Sequence, residues 1–349
     1  KMTTFKTANI MLNPSFIRLM QAALKMKFFL IILVLILTTH FIKSQNFPTM
    51  EESARLKKLE PPAGKIRLVL DTDTYNEIDD QYALAYAYLS KEKLQLEAIY
   101  AAPFYNKRSL SAGDGMEKSY DEILRLLALL KRSPQNFAYR GSNRYLEDIS
   151  RPVSSEAALD MIKKAKASAP DNPLYVVALG CITNVASAIL IDPSIIKNIV
   201  VVWLGGNGLD WPDQKEFNLK QDVLSARVVF DSGVPLIVMP CRPVVSHFLT
   251  TIPELEYFLK GKTKLSDYLF NSTVDYSGGA KVWSKVIWDV TAVAWLVNSS
   301  WIPTNLEHSP ILTDQVTYSV DHSRHLISMA KTLNRDAIFN DLFTKLTAK

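Results

Sequence analysis

The stretch Ile66-Arg67-Leu68-Val69-Leu70-Asp71-Thr72-Asp73-Thr74-Tyr75-Asn76-Glu77-Ile78-Asp79-Asp80 decides how this chain is read. Its first five residues, apolar except for Arg67, form a short run without helical spacing and read as a buried strand. From Asp79 to Leu89 the pattern turns helical. Between strand and helix, four aspartates and one glutamate crowd into ten residues. Carboxylates so close repel one another unless a positive charge holds them. A helix N-terminus supplies part of that field at Asp79 and Asp80, and a divalent cation supplies far more. A donor set made of oxygens alone suits calcium or magnesium rather than zinc. The plainer alternative is that Asp79 and Asp80 cap the helix while the other acids are solvated. That alternative fits a lone acidic pair better than it fits this cluster.

Working outward, Leu94 to Ala101 reads as a second strand, followed by the loop Ala102-Pro103-Phe104-Tyr105-Asn106 and an amphipathic helix over about Met116 to Leu130. Strand-like runs recur at Leu174 to Leu179, Ile199 to Leu204 and Pro235 to Met239, each leading through a loop into a helical pattern. Such alternation predicts an α/β fold, a doubly wound, mostly parallel, Rossmann-like sheet flanked by helices. In sheets of this kind ligands bind beyond the carboxyl ends of the strands, which is where the acidic turn falls. One large domain over 65–349 is expected, preceded by a polar linker at 46–64 that contains Pro61-Pro62.

The strongest break in composition lies near the start. Lys25, Met26 and Lys27 precede ten apolar residues, Phe28 to Leu37, and then polar Thr38, Thr39 and His40. That layout is a signal peptide within residues 1–45, with an atypical extension ahead of it, and implies a secreted or periplasmic protein. An uncleaved membrane anchor is the alternative, since Phe41 and Ile42 lengthen the run. The net charge of +5 is modest and the basic residues are scattered, so no nucleic acid partner is expected. Cys181 and Cys241 lack metal-ligand spacing and read as buried thiols, with a single bridge between them as the other option.

The acidic turn resembles the fingerprint of the inosine-uridine nucleoside hydrolase family, a strand followed by Asp-x-Asp-Pro-Gly-x-Asp-Asp. Further matches follow in family order. Gly180-Cys181-Ile182-Thr183-Asn184 is similar to the family's Gly-Pro-Leu-Thr-Asn turn, and Leu204-Gly205-Gly206-Asn207 to its Gly-Gly strand end. Lys215-Glu216-Phe217-Asn218 with Asp222 is similar to its Ala-Glu-Phe-Asn signature, and Asn334-Arg335-Asp336 and Asp341-Leu342-Phe343 match near the C-terminus.

The resemblance implies the nucleoside hydrolase fold and calcium-dependent hydrolysis of the N-glycosidic bond of small-molecule ribonucleosides, as in purine salvage. It implies that Asp73 is metal ligand and general base, and that Asp80, the carbonyl of Thr183 and Asp289 complete the calcium shell. Asp79 and Asp289 would contact ribose, Glu216 and Asn218 would bind its hydroxyls, and Asn207 and Phe217 would line the pocket. Asp71 is expected to support the turn. A homo-oligomer is among the assemblies the resemblance leaves open.

Two departures stand out. Five residues, Thr74 to Ile78, separate Asp73 from the Asp79-Asp80 pair where the fingerprint has three, and its Pro-Gly is absent, so Asn76 or Glu77 becomes a candidate ligand. Many members carry a histidine before the late aspartate; here Trp288 stands, and it is assigned a catalytic part by stacking on a purine leaving group, with core filling as the alternative. A second aromatic wall is sought among Tyr105, Tyr139 and Trp211. Two other readings of the whole chain remain. One is a haloacid dehalogenase-type phosphatase using Asp71 and Asp73. The other is a secreted nucleoside- or calcium-binding protein that keeps the fold without catalysis.

Overall fold

The computed structural model describes residues 47–348 except Pro170 and Lys281, with isolated positions before residue 47. The apolar run assigned to the signal peptide lies outside the described residues. From Phe47 onward the chain forms one compact unit.

Its strands are β1 Ile66–Thr72, β2 Leu94–Ala101, β3 Ala138–Arg140, β4 Leu174–Ala178, β5 Ile199–Leu204 and β6 Leu236–Met239, then β7 Leu249–Thr251, β8 Ser284–Val286, β9 Thr304–His308, β10 Ile311–Leu312, β11 Tyr318–Ser319 and β12 Leu326–Ala330. Eight of them make the central sheet in the order β3-β2-β1-β4-β5-β6-β12-β9. All neighbours run parallel except β9, which is antiparallel to β12 at the edge. The α/β doubly wound reading therefore holds. The central strands are apolar on both faces because helices cover both: every residue of β4, β5 and β6 is buried. One face of the sheet joins Leu68, Leu70, Val177, Val200 and Val202 to one core, and the other joins Val69, Val176, Val201 and Trp203 to a second. The order reverses between β1 and β4, so the loops after these two strands open the crevice in which the acidic turn lies.

The stretch 46–64, expected to be a linker, is corrected over its described residues. The helix Glu52–Leu59 lies there and buries Arg55 and Leu59. Arg55 bonds the carbonyl of Gly233, and the Leu326 N–H donates to Glu52 Oε1 at 3.2 Å, which ties this helix to β12. The Leu56/Leu59 spacing is that of a short amphipathic turn, too brief to stand out between polar residues. No helix among the described residues is long and apolar enough to cross a membrane. Cys181 and Cys241 are both buried free thiols, so no bridge joins them.

Candidate active site

At the end of β1 the backbone turns so that Asp71, Asp73 and, from the first turn of the helix Asp79–Leu89, Asp79 and Asp80 are all buried. Asp289 comes up beside them just ahead of the helix Val290–Val297. Carboxylate oxygens of Asp79, Asp80 and Asp289 all lie within 4.8 Å of one another. Asp73 is packed against the same group: the loop after β4 approaches so closely that a Cβ on Gly180 would meet the Asp73 carboxyl carbon at 2.9 Å. Burial, followed by the charges of Asp80 and Asp79, drives the Asp73 carboxyl well above its ordinary value. Asp289 is raised in the same way, by burial and then by Asp80, and burial pushes Asp79 up to about 7. The Oδ2 of Asp73 and the Oδ1 of Asp79 are buried and meet no hydrogen-bond partner among the described residues. A cluster of close, buried carboxylates with an open oxygen on Asp73 fits a hard divalent cation, because that charge removes the repulsion and the free oxygen can ligate it.

The cluster forms the floor of a cavity of about 390 Å³. One wall is built by Glu216, Phe217 and Asn218. Glu216 caps the short helix Phe217–Gln221: its Oε1 accepts from the N–H of Asn218 at 2.5 Å, and its Oε2 from those of Gly206 at 2.5 Å and Leu219 at 3.1 Å. Burial pushes this carboxyl up to about 7 against the pull of those N–H groups. Asn218 spends its Nδ2 on the carbonyls of Leu179 and Leu204, at 2.7 and 3.0 Å, at the ends of β4 and β5. Its Oδ1 is thereby turned away from those carbonyls. Trp288, half-buried, also lines the cavity, and its backbone N–H donates to Asp79 Oδ2 at 3.1 Å. Among the described residues the aromatic side chains lining the cavity are Trp288 and Phe217. The candidates Tyr105, Tyr139 and Trp211 do not line it: Tyr139 lies in the edge strand β3, and Tyr105 and Trp211 are 59% and 38% exposed.

One further expectation is corrected. Asn207 does not line the cavity: it sits behind the wall with its Nδ2 donating to the Asp213 carbonyl at 3.0 Å and its Oδ1 accepting from the Arg242 N–H at 3.1 Å. Both ends of that amide are spent on holding loops together. Thr183, expected to offer its carbonyl to the cation, opens the helix Thr183–Ile191 and is fully buried, and its hydroxyl donates to Asp222 Oδ2 at 2.6 Å. Asp71 supports the turn as expected, its Oδ1 accepting from Asn184 Nδ2 at 2.7 Å, and it does not line the cavity.

Asn76 and Glu77, the candidates offered by the longer loop, both line the cavity. Arg242, Lys215 and Asn106, to which the sequence assigned no role, line it too, and Lys285 reaches Glu77 and stands 3.8 Å from Asp79 Oδ1. Arg242 follows β6, so the rule that ligands bind beyond strand ends pointed to it. Asn184 was also missed as a tie. Besides Asp71 it donates to the Ala101 carbonyl at 3.3 Å, and its Oδ1 accepts from the Ser142 N–H at 2.7 Å, so one amide joins the ends of β1 and β2 to the loop after β3. Asn184→Leu, which strands these buried groups, is expected to lower stability by about 3 kcal/mol, measured by urea unfolding. A loss within about 0.5 kcal/mol would show that the tie carries no weight.

The family model of the inosine-uridine preferring nucleoside hydrolases matches residues 68–340. Among curated relatives, the pyrimidine-specific ribonucleoside hydrolase RihA of Enterobacter sp. (strain 638) is 30% identical over 196 residues, covering 49% of this chain and 58% of that protein. RihB of Shigella flexneri serotype 5b, also named pyrimidine-specific, is 28% identical over 171 residues, covering 45% of this chain and 52% of that protein. The aligned part thus spans little more than half the length of these relatives. Among solved structures, a purine-preferring ribonucleoside hydrolase from Gardnerella vaginalis superposes with a TM-score of 0.67 at 21% identity, covering 80% of this chain and 98% of that one. A plant nucleoside hydrolase, PpNRh1, gives 0.66 at 20% identity, covering 82% and 100%. The structures speak for the fold, and the family model, which takes in most of the chain, for descent: this protein belongs to the inosine-uridine preferring nucleoside hydrolase family.

Proposed function

We propose that the protein hydrolyses the N-glycosidic bond of ribonucleosides, purine nucleosides in preference to pyrimidine ones, releasing ribose and free base, with a calcium ion held by Asp73, Asp80, the carbonyl of Thr183 and Asp289. The observation that carries this reading is the floor of buried aspartates beneath a cavity with aromatic side chains. A divalent cation bound there lowers the pKa of a water molecule and orients vicinal hydroxyls. Asp73, with an unpartnered Oδ2, accepts the proton of the attacking water. Asp79, Asp289 and Asn218 take ribose hydroxyls, and Glu216, fixed by three N–H groups, lends its remaining lone pairs. Fixing the sugar in this way lowers the barrier chiefly through orientation. Positive charge developing on the ribose ring meets the carboxylates below it.

Leaving-group activation falls to Trp288 and Phe217. An indole has no proton to deliver near neutral pH, but its face stacks on a purine and spreads charge as the bond breaks. A pyrimidine offers less surface. Release of free ribose from inosine, adenosine and uridine tests the reading, with inosine expected to be cleaved faster than uridine; the reverse order removes the purine assignment. Trp288→Ala is expected to slow inosine cleavage by about tenfold, and p-nitrophenyl riboside, whose leaving group needs no proton, by much less. Equal losses on both would reduce Trp288 to a packing residue.

The phosphatase reading is set aside by the family assignment and by Asp71, its required nucleophile, which is buried on Asn184 away from the cavity. The binding-only reading is answered by calorimetry with inosine followed by assay of the same sample for ribose. Binding without ribose would favour it.

A further inference from the structure

The lengthened loop Thr74–Ile78 does not hang free. Its Glu77 accepts from the Tyr276 hydroxyl at 2.7 Å through Oε1 and is ion-paired through Oε2 with Lys285 of β8. Tyr276 ends the helix Lys264–Tyr276, so a helix terminus and a two-stranded ribbon clamp the loop from the same side. Lys285 is 9% exposed, which is rare for a lysine without paired acids. Its ammonium continues past Glu77 to stand 3.8 Å from Asp79 Oδ1. The other oxygen of Asp79 is held by the Trp288 N–H. Asp79 thus lies between two pulls. It is close enough to Asp80 and Asp289 to close on a shared cation, and it faces a buried ammonium on its free side.

We infer that Lys285, anchored by Glu77 of the lengthened loop, is a positioning residue that holds Asp79 out of the cation's shell and keeps it turned toward the ribose. The argument is electrostatic. A carboxylate oxygen within a few ångströms of a divalent ion swings onto it unless another cation competes, and a desolvated ammonium is a strong competitor. Glu77 fixes where that ammonium sits, which is what the two additional loop residues provide in place of a tight Pro-Gly turn. Asn76 contributes on the other side: its Oδ1 accepts from Asn106 Nδ2 at 2.6 Å, and this pins the loop to the segment after β2. The inference rests on the reading of Asp79 as a ribose contact.

The test is calorimetry of the full chain and of Lys285→Met with calcium alone, then with ribose in saturating calcium. Losing the competitor frees Asp79 for the ion, so the variant is expected to bind calcium about tenfold more tightly and ribose about tenfold more weakly. In turnover of inosine the loss appears in KM, with kcat changed little. Lys285→Arg restores both affinities, and Glu77→Gln reproduces the Lys285→Met pattern in weaker form. If calcium and ribose affinities fall together with the melting temperature, Lys285 is merely structural and the inference is overturned. Unchanged ribose affinity in a well-folded variant overturns it too. A parent protein that binds calcium but no ribose would instead remove the assignment of Asp79, and with it the proposed activity.

Discussion

Asp73→Asn is expected to cut the turnover number for inosine by about a thousandfold, within the range that a positioned general base contributes. KM should move by less than about threefold. The reasoning follows from where Asp73 sits. It opens the turn after β1, buried beside Asp80, and its Oδ2 meets no donor among the described residues. An amide has nearly the same shape and still offers one oxygen to a cation, so the ground-state complex survives. It cannot accept a proton from water. The check is steady-state kinetics at saturating calcium, paired with calorimetry to show that the variant still binds the ion. Turnover within about tenfold of the parent would take the base role away from Asp73.

Asp80→Ala is expected to weaken calcium binding by at least about a hundredfold and to abolish measurable ribose release at calcium concentrations that saturate the parent. Asp80 belongs to the heart of the group: its carboxylate accepts from the Thr72 hydroxyl and lies within 4.8 Å of those of Asp79 and Asp289. The effect on stability depends on the ion. In chelated protein the aspartates repel one another, so deleting one is expected to raise the melting temperature slightly. In calcium the order reverses, since only the parent gains from binding.

The pH dependence of the chelated parent follows from the same repulsion. Folding raises the Asp79 carboxyl from 3.8 to about 7, so the folded state holds the proton more tightly than the unfolded chain does. Stability is therefore greatest below about pH 4 for this group and falls as pH rises through 7, contrary to the usual paired carboxylate. Urea unfolding from pH 4.5 to 7.5, with chelator and with calcium, is expected to show the decline only in chelator. A parent whose stability is flat over this range in chelator would mean that the acids are not in conflict.

The fold was legible because its central strands are buried on both faces and so appear as unbroken apolar runs. Ile199 to Leu204 coincides with β5; Leu94 to Ala101, interrupted by Gln95 and Glu97, coincides with β2, and the helix from Asp79 to Leu89 begins and ends as expected. The edges were harder to see. Strand β9, with its Thr-Asn-Leu-Glu-His sequence, has no buried residue and carries too little apolar pattern to be noticed, and β3, β7 and β8 have three residues each. The helix Glu52–Leu59 was lost among polar neighbours for the same reason.

The floor of the site was legible from charge alone, because five acids cannot follow a buried strand without compensation. Asp289 was reached only through family resemblance, since one aspartate beside a tryptophan has no signal of its own. Lys285 could not be found in sequence: 205 positions separate it from Asp80, and only the pairing of β7 with β8 brings it to the acidic loop. Asn207 misled for a related reason. A polar residue after a Gly-Gly turn looks like a ligand contact, and nothing local reveals that both ends of its amide are already occupied.

The central claim is that the buried aspartates hold one divalent cation and that this cation makes the cavity an N-glycosidic hydrolase site. The most direct measurement strips the protein with chelator, returns calcium in steps in a calorimeter, and assays ribose release from inosine at each step. One calcium per chain, with ribose release rising in proportion to occupancy, is the predicted result. Ribose release that persists undiminished in excess chelator, or calcium that binds fully while inosine stays intact, would contradict the account.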